Sequence, residues 1–389
     1  MGTLSFYAGW ALAAAAMCGG VYAVLAAVLA GRFMRPRVPD PALAEAPGVT
    51  ILKPLHGDEP GLLRNLETVL RQDYPGAVQV VFGVQDEADP ALAAVRALRV
   101  RHPQADIAVA ADPARAGANA KISNVINMMP HARHDLLVLA DSDIAAPPCW
   151  LSRVVEALSR PGIGIVTCLY TGEPDTGAAG SGRRLWPVLA AMGTSYGFLP
   201  NALLGFHLGL AKPCFGSTIA LRRATLERIG GFAAFADRLA DDYEIGRAVR
   251  DTGLDLAIPA LAVGHAATEA SAAALWRHEL RWSRTIRIVN PGGHLGSFVT
   301  HGFPLALAAA VLLGFGPISL GIVAFALAAR LFLKYRIDGI FGTRAGPGWL
   351  VPIRDVLSFA VFVASLFGGT VHWRGDRFAV GPAGALSRS

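Results

Sequence analysis

The chain of 389 residues is 53% hydrophobic and only 16% charged, with a formal net charge of +6 and a mean hydropathy of +0.42. That is too apolar for an ordinary soluble protein and suits a membrane protein with a sizeable soluble part. The basic excess flanks apolar runs (Arg32, Arg35 and Arg37; Lys334 and Arg336) and is not interleaved with aromatics. It therefore reads as topology-setting charge facing anionic headgroups and argues against a nucleic-acid partner.

Residues 4–30 are apolar and uncharged, long enough to span a bilayer, and end at Gly31-Arg32. No positive charge precedes the run and it is too long for the core of a cleaved signal, so it reads as a signal anchor. Its basic flank, Arg32, Arg35 and Arg37, places the N-terminus outside. A Pro/Ala-rich linker follows over 36–47. Strands are predicted at 49–52, 78–84, 107–110, 136–140 and 163–167, and helices at 62–71, 90–101 and 150–158. Strands alternating with helices imply a largely parallel, Rossmann-like sheet with helices on both faces, and ligands bind beyond the carboxyl ends of such strands. Later comes a basic helix over 271–289, then two apolar runs, 303–315 and 318–333, split by Gly316-Pro317 into a membrane helix pair. A third apolar run, 356–371, is short for a full crossing but is read as one, with a re-entrant or interfacial helix as the alternative. The four cysteines (Cys18, Cys149, Cys168 and Cys214) form no C-x-x-C pair, so they read as packed thiols in a reducing compartment, neither a disulfide framework nor a zinc site.

Three acidic clusters fall at element ends. Asp86 follows the strand 78–84, Asp141-Ser142-Asp143 follows the strand 136–140, and Asp241-Asp242 opens a helix. In an extended segment, side chains two apart point the same way, so Asp141 and Asp143 can face one cation. Mn²⁺ and Mg²⁺ favour carboxylate and phosphate oxygens, which suits a metal bridging a diphosphate. A D-x-D triplet alone is weak, and N-capping explains Asp143 or Asp241 as well. Its position at the end of a buried strand, with a second carboxylate pair a hundred residues on, strengthens the reading. Asp242 suits a general base for a hydroxyl acceptor. On the basic helix, Arg281, Arg284 and Arg287 recur on one face, where forked donors match phosphate oxygens, and Trp282 can pack on a sugar or nucleotide. An interfacial helix with a Trp anchor is an equal reading. The apolar stretch 199–210, too short to span, is either a buried core helix or a lip at the membrane surface near a lipid acceptor.

These motifs, in this order, resemble the ceramide glucosyltransferase family and its hopanoid-biosynthesis relatives, within the inverting GT-A class. The resemblance runs nearly end to end. Leu52-Lys53-Pro54-Leu55-His56-Gly57 is similar to the opening strand and donor loop, and Gln85-Asp86 to the aspartate motif that contacts the nucleotide. Asn119-Ala120-Lys121-Ile122-Ser123-Asn124 resembles the N-x-K-x-x-N segment on the donor side, and Asp141-Ser142-Asp143 the metal motif. Leu239-Ala240-Asp241-Asp242-Tyr243 is similar to L-A-E-D-Y, which makes Asp242 the counterpart of the catalytic base. Arg281-Trp282 ends a (Q/R)-x-x-R-W motif in which His278 replaces the usual Gln or Arg. The stretch from His278 to Thr285, together with Pro213-Cys214-Phe215-Gly216-Ser217-Thr218, looks more like the hopanoid branch.

The resemblance implies a GT-A catalytic domain over 48–290, behind an anchor (1–31) and linker (32–47), followed by membrane helices (298–372) and a tail (373–389). It implies transfer of N-acetylglucosamine or glucose, with inversion, from a UDP-sugar to a lipid hydroxyl. A hopanoid polyol is the expected acceptor and ceramide the alternative. The expected site is Asp242 as base; Lys53, Pro54, Asp86, Lys121, Asp141, His278, Arg281 and Trp282 on the donor; and Asp143 with Asp141 on Mn²⁺ or Mg²⁺. The expected location is the inner (cytoplasmic) membrane, multi-pass, with the catalytic domain in the cytoplasm. A processive polysaccharide synthase would need more membrane segments, and a non-catalytic scaffold would tolerate loss of the aspartates, none of which is lost.

Overall fold

A computed structural model of the protein describes residues 3–35, 46–175 and 185–368, and the backbone of three short strands beyond them. Most of the expected linker, Arg37 included, and most of the tail lie outside the described residues. The chain divides into two compact units. One, mainly helical, draws on Met1–Arg35, Thr171–Ala211 and Ala267–Val371; the other, α/β, draws on Pro36–Tyr170, Lys212–Ala266 and His372–Ser389.

Helix α1 (Thr3–Phe33) opens the helical unit. The α/β unit then runs β1 (Val49–Pro54), α2 (Leu62–Leu70), β2 (Val78–Val84), α3 (Ala91–Arg101), β3 (Asp106–Ala111), α4 (Ala120–Met128), β4 (Leu136–Leu139), β5 (Ile144–Ala145), α5 (Trp150–Leu158) and β6 (Ile163–Thr167). Strand β7 (Leu169–Pro174) leads to α6 (Leu185–Gly193) and α7 (Leu199–His207) of the helical unit. The chain returns as β8 (Ile219–Arg222), α8 (Arg223–Arg228), α9 (Asp241–Asp251), β9 (Asp255–Ala257) and β10 (Ala262–Ala267). It ends as α10 (Ala272–Val289), α11 (Pro291–Gly296), α12 (Gly302–Leu313), α13 (Pro317–Phe341) and α14 (Val351–Ser365), followed by β11 (Thr370–Trp373), β12 (Asp376–Val380) and β13 (Leu386–Arg388).

The main sheet has the order β3-β2-β1-β4-β8-β6-β9. Its first four strands are parallel, as the alternating pattern predicts. The sheet becomes mixed at β8, which runs antiparallel to both β4 and β6. β8 is four residues long and lies outside any β-α alternation, so it carries no clear signal in the sequence. Every residue of β1 and β4 is buried, which explains their near-continuous apolar runs.

In the helical unit, α1 turns a small-residue face (Ala13, Ala16, Gly19, Ala23 and Ala27 among them) inward. A Cβ on Gly19 would meet Val299 O at 2.3 Å and Gly302 Cα at 2.7 Å, so two backbones touch there and leave no room for a side chain. Among the described residues three helices are long and apolar enough to cross a membrane: Thr3–Phe33, Pro317–Phe341 and Gly348–Ser365. Pro291–Thr300 and Gly302–Leu313 form a fourth candidate, bent by 63°. The expected helix pair is therefore unequal: α13 runs for 25 residues, whereas α12 has 12 and reaches crossing length only with its bent partner.

The last helix departs from expectation. It spans Val351–Ser365 instead of 356–371, and 370–373 is strand. Pro352 in the first turn favours the earlier start. The charges of Arg354 and Asp355, which break the apolar run in sequence, are accommodated because both are paired inside the unit. Gly368, at φ 81°, follows the helix end. The stretch 199–210 forms α7 in the helical unit, with Leu199, Pro200, Leu203 and Leu204 buried and Leu208 and Leu210 exposed just beyond it. Tyr22 on α1 donates a 2.8 Å hydrogen bond to Asn201 Oδ1 of α7.

Candidate functional site

β4 ends at Leu139, and the following Ala140 amide still bonds Leu52 O of β1. The triplet Asp141-Ser142-Asp143 therefore leaves the sheet at the carboxyl end of adjacent parallel strands, the position expected for a ligand crevice. Lys53, wholly buried on β1, lies beneath it. Its Nζ donates to Asp141 O at 2.6 Å and Ile144 O at 3.3 Å, so the side chain braces the backbone of the acidic loop. Burial lowers the Lys53 ammonium to about 8, against the pull of Asp143, Asp141 and Glu59. Ser142 Oγ donates to Glu59 Oε2 at 2.6 Å and fixes the middle of the triplet from the side.

Lys121, in the first turn of α4, joins the two acidic regions. Its Nζ is 2.6 Å from Asp141 Oδ1 and 3.4 Å from Asp241 Oδ2. Burial would depress this ammonium, but Asp141, Asp241 and Asp242 outweigh it and hold it charged, well above the usual lysine range. Asn119 works beside it in two directions. Its Oδ1 caps α4 by accepting from the Ile122 amide at 3.0 Å, while its Nδ2 donates to Arg238 O at 2.9 Å and Asp241 Oδ1 at 3.1 Å. One side chain thus sets both the position of Lys121 and the entry to α9.

Asp242 stands in the first turn of α9, where the helix end favours negative charge. Its Oδ1 accepts from its neighbour's amide, Tyr243 N, at 2.7 Å, and its Oδ2 accepts from Gly216 N at 2.9 Å. Burial and the adjacent Asp241 carboxylate nevertheless push the Asp242 carboxyl up to about 6, against Lys121 and the Tyr243 amide. Each ionised oxygen keeps acceptor capacity for a further proton donor. Gly216 also touches the other cluster: its carbonyl accepts from Asp141 N at 3.3 Å, and a Cβ there would lie 2.6 Å from Asp141 Oδ2. Lys121 and Gly216 together bring Asp141 and Asp242 into one constellation.

Asp143 has a different setting. Its Oδ2 is 3.3 Å from His265 Nε2 on β10, and its backbone carbonyl accepts from Ala266 N at 2.9 Å. Burial opposes its ionisation, but His265, Lys53 and Lys121 hold the carboxyl down to about 2. Burial raises Asp141 instead, with Lys121 pulling against it and Asp143 and Asp241 reinforcing the rise. Asp143 Oδ1 is shut off from solvent and has no hydrogen-bond partner. An ionised carboxylate with an unused buried oxygen, beside a second carboxylate, fits a hard divalent cation. Among the described residues no three His, Cys, Asp or Glu side chains form a cage, and a metal bound largely through diphosphate oxygens needs none.

The remaining expected residues fall elsewhere. Pro54 is buried at the end of β1, in register with Gly83. Asp86 is exposed just past β2, where its Oδ1 accepts from Ala88 N at 2.8 Å in a local turn. His278, Arg281 and Trp282 belong to α10 of the helical unit. His278 Nδ1 is 2.5 Å from Glu269 Oε1, and its ring meets Trp282 edge-on at 4.4 Å between centroids. Two of the three arginines read as phosphate donors bind backbone instead. Arg284 Nη2 donates to Phe367 O at 3.0 Å, and Arg287 donates to Leu366 O at 2.9 Å and Gly368 O at 2.6 Å. They cap the C-terminal end of α14, whose last carbonyls lack helical partners.

Sequence reasoning missed Asn119 as a brace, Gly216 as a contact point and His265 altogether. Gly216 sits in a segment quoted only for its resemblance. His265 is a lone histidine on a short strand, and nothing near it in sequence announces Asp143.

Comparison with known proteins agrees with this architecture. The chain is 25% identical over 374 residues to ceramide glucosyltransferase 1 of Caenorhabditis elegans, covering 90% of this chain and 75% of that protein. Over 124 residues it is 31% identical to the ceramide glucosyltransferase of Komagataella phaffii, 31% of this chain and 24% of that one. Among solved structures, a mannosyltransferase from Pyrobaculum calidifontis in complex with GDP-Man and Mn²⁺ superimposes with a TM-score of 0.52 at 22% identity, over 93% of this chain and 99% of that one. The fold is GT-A, with a mixed sheet and flanking helices joined to apolar helices. The profile of glycosyl transferase family 21 matches residues 9–386, so the chain belongs to that family and is a glycosyltransferase.

Proposed function

We propose that the protein moves N-acetylglucosamine or glucose from a UDP-sugar to a hydroxyl of a membrane lipid, with inversion at the anomeric carbon. The observation that carries this reading is the linkage of Asp141 to Asp242 through Lys121 and Gly216. It sets a candidate metal motif beside a carboxylate whose raised pKa suits a base. Asp143 and Asp141 would hold Mn²⁺ or Mg²⁺, which offsets the negative charge of the departing diphosphate. Asp242 accepts the proton of the attacking hydroxyl. Lys121 bridges Asp141 and Asp241, and Lys53 fixes the backbone on which the triplet is carried. Asp86 and Pro54 at the strand ends, and His278, Arg281 and Trp282 on α10, are donor-binding candidates by motif and chemistry. A single displacement from the face opposite the diphosphate yields inversion.

For the acceptor, the His278–Thr285 stretch favours a hopanoid polyol, whereas the curated relatives are ceramide glucosyltransferases. The catalytic domain, 48–290, is assigned to the cytoplasmic face of the inner membrane, because Arg32 and Arg35 follow the first apolar helix. The test is incubation of the purified protein in nanodiscs with labelled UDP-glucose, UDP-N-acetylglucosamine or GDP-mannose, and with hopanoid polyol or ceramide, followed by mass spectrometry of the lipid fraction. A glycolipid formed from one UDP-sugar supports the reading. A water-soluble labelled polymer would point to a polysaccharide synthase, and an absence of transfer from every donor would overturn it.

A further inference from the structure

The helical unit holds two arginines on facing helices, Arg330 half-buried and Arg354 buried, and they differ in how they are satisfied. Arg330 on α13 has a partner on every nitrogen: Nε and Nη2 bind Asp355 at 2.8 and 2.7 Å, and Nη1 donates to Tyr196 O at 2.9 Å. That is a closed structural pair. Arg354 on α14 is 5% exposed and makes one hydrogen bond, from Nη2 to Glu279 Oε1 of α10 at 2.5 Å. Its Nε and Nη1 are shut off from solvent and have no partner. A guanidinium carries five N–H donors and no acceptor, so the three on Nε and Nη1 are left unused at a site where each costs free energy.

The position is specific. Arg354 packs against Gly193 at the end of α6, where a Cβ would meet its Nη2 at 2.0 Å. Five residues of π-helix, Thr194–Phe198, follow at once, a geometry common at functional sites. On the same helix Ile353 and Val356 are exposed and apolar, so the guanidinium is turned inward from an apolar outer face.

We propose that the junction of α6, α10 and α14 around Arg354 binds the oxygen-rich head of a lipid, with Nε and Nη1 donating to hydroxyl or carbonyl oxygens and Glu279 holding the guanidinium in place. This rests on the reading above that the acceptor is a membrane lipid, and it names the residue that recognises the acceptor's head. The Nη2–Glu279 bond is retained on binding, so the ligand needs acceptor oxygens and no negative charge.

Arg354→Lys keeps a cation for Glu279 and removes the free Nε and Nη1 donors. Arg354→Met combined with Glu279→Leu removes both charges together and avoids a lone buried carboxylate. Two readouts apply: native mass spectrometry of lipid retained by each purified protein in detergent, and steady-state kinetics with lipid and nucleotide-sugar varied in turn. In both variants the lipid occupancy is expected to fall, and KM for the lipid to rise by about tenfold or more, with KM for the donor unchanged. Retained lipid and an unchanged lipid KM in a folded Arg354→Lys protein would leave bound water as the only partner and overturn the proposal. Lipid retention is measured without turnover, so loss of retained lipid in the variants supports the site even where no donor is transferred.

Discussion

Lys121 Nζ sits 2.6 Å from Asp141 Oδ1 and is the cation that separates one acidic cluster from the next. It lowers the pKa of Asp242 through space, against burial and Asp241, which raise it. Replacing it with methionine keeps the length of the side chain and removes the charge. The Asp242 carboxyl then rises further above its usual range, and a base that must be ionised is protonated over a wider pH span. Lys121→Met is expected to cut turnover at neutral pH at least tenfold and to move the acid limb of the pH–rate profile to higher pH. An unshifted limb would show that Lys121 does not act on Asp242.

Asp242→Asn removes the proton acceptor and keeps the shape, including the contacts to Gly216 and Tyr243. Turnover should fall by about two to four orders of magnitude, the usual worth of a general base. Nucleotide-sugar affinity, read by calorimetry, should stay within a few-fold. In the wild type the rate should increase with pH through about 6, since Asp242 works only when deprotonated. A variant retaining more than a tenth of wild-type turnover would assign the base elsewhere.

Gly216→Ala tests whether the segment between the clusters is packed as described. The new Cβ would lie 2.6 Å from Asp141 Oδ2 and 3.2 Å from Lys121 Nζ, so the carboxylate must move. Glycine is needed here for a close approach, since Gly216 is not among the positive-φ glycines. Activity is expected to drop at least tenfold while the thermal midpoint changes by no more than a few degrees, because the strain is local. Wild-type activity in the folded variant would mean that Asp141 does not act from this position.

Divalent cation should be required. Chelation with EDTA should abolish transfer, and Mn²⁺ or Mg²⁺ should restore it. Asp143→Ala should weaken Mn²⁺ binding in the presence of UDP, read directly by calorimetry, because it removes the buried unpaired Oδ1. Full activity in EDTA would rule out the metal role of the triplet.

The parts of this architecture that were legible in sequence are those set by local periodicity. β2, α5 and β6 fall where their apolar patterns end, and the carboxylates follow buried strands as a parallel sheet requires. What was not legible depends on residues distant in the chain. β8 is four residues long and takes its place from its two antiparallel partners. Asn119 is read as one member of a motif, yet two of its three side-chain hydrogen bonds reach across 119 and 122 positions to Arg238 and Asp241. The basic face of α10 has the spacing of a phosphate site, and Arg284 and Arg287 spend it on the carbonyls after α14. Periodicity shows that side chains share a face and is silent on what that face meets.

Those arginines also bear on where the chain ends. α10 is the last helix of the catalytic domain, 48–290, and is too charged to cross a membrane, so it lies on the cytoplasmic side if that domain does. α14 is tied to it at both ends: Arg354 near its start pairs with Glu279, and the carbonyls past its end accept from Arg284 and Arg287. A helix held along its length by a charged interfacial helix is expected to lie in the interface, even though Gly348–Ser365 is long and apolar enough to cross. α13, by contrast, carries Lys334 and Arg336 near its C-terminal end and no charge near its start, so its start is expected outside and the bent pair before it is expected to be a broken crossing. The expected topology is three crossings, with α14 lying in the cytoplasmic interface and Ser389 inside. A cytoplasm-only fluorescent reporter fused after Ser389 should therefore be bright and a phosphatase fusion there inactive. Phosphatase fused at Phe315 should be active. An active phosphatase at Ser389 would mean that α14 crosses after all, and that the Arg284 and Arg287 contacts do not hold in the membrane.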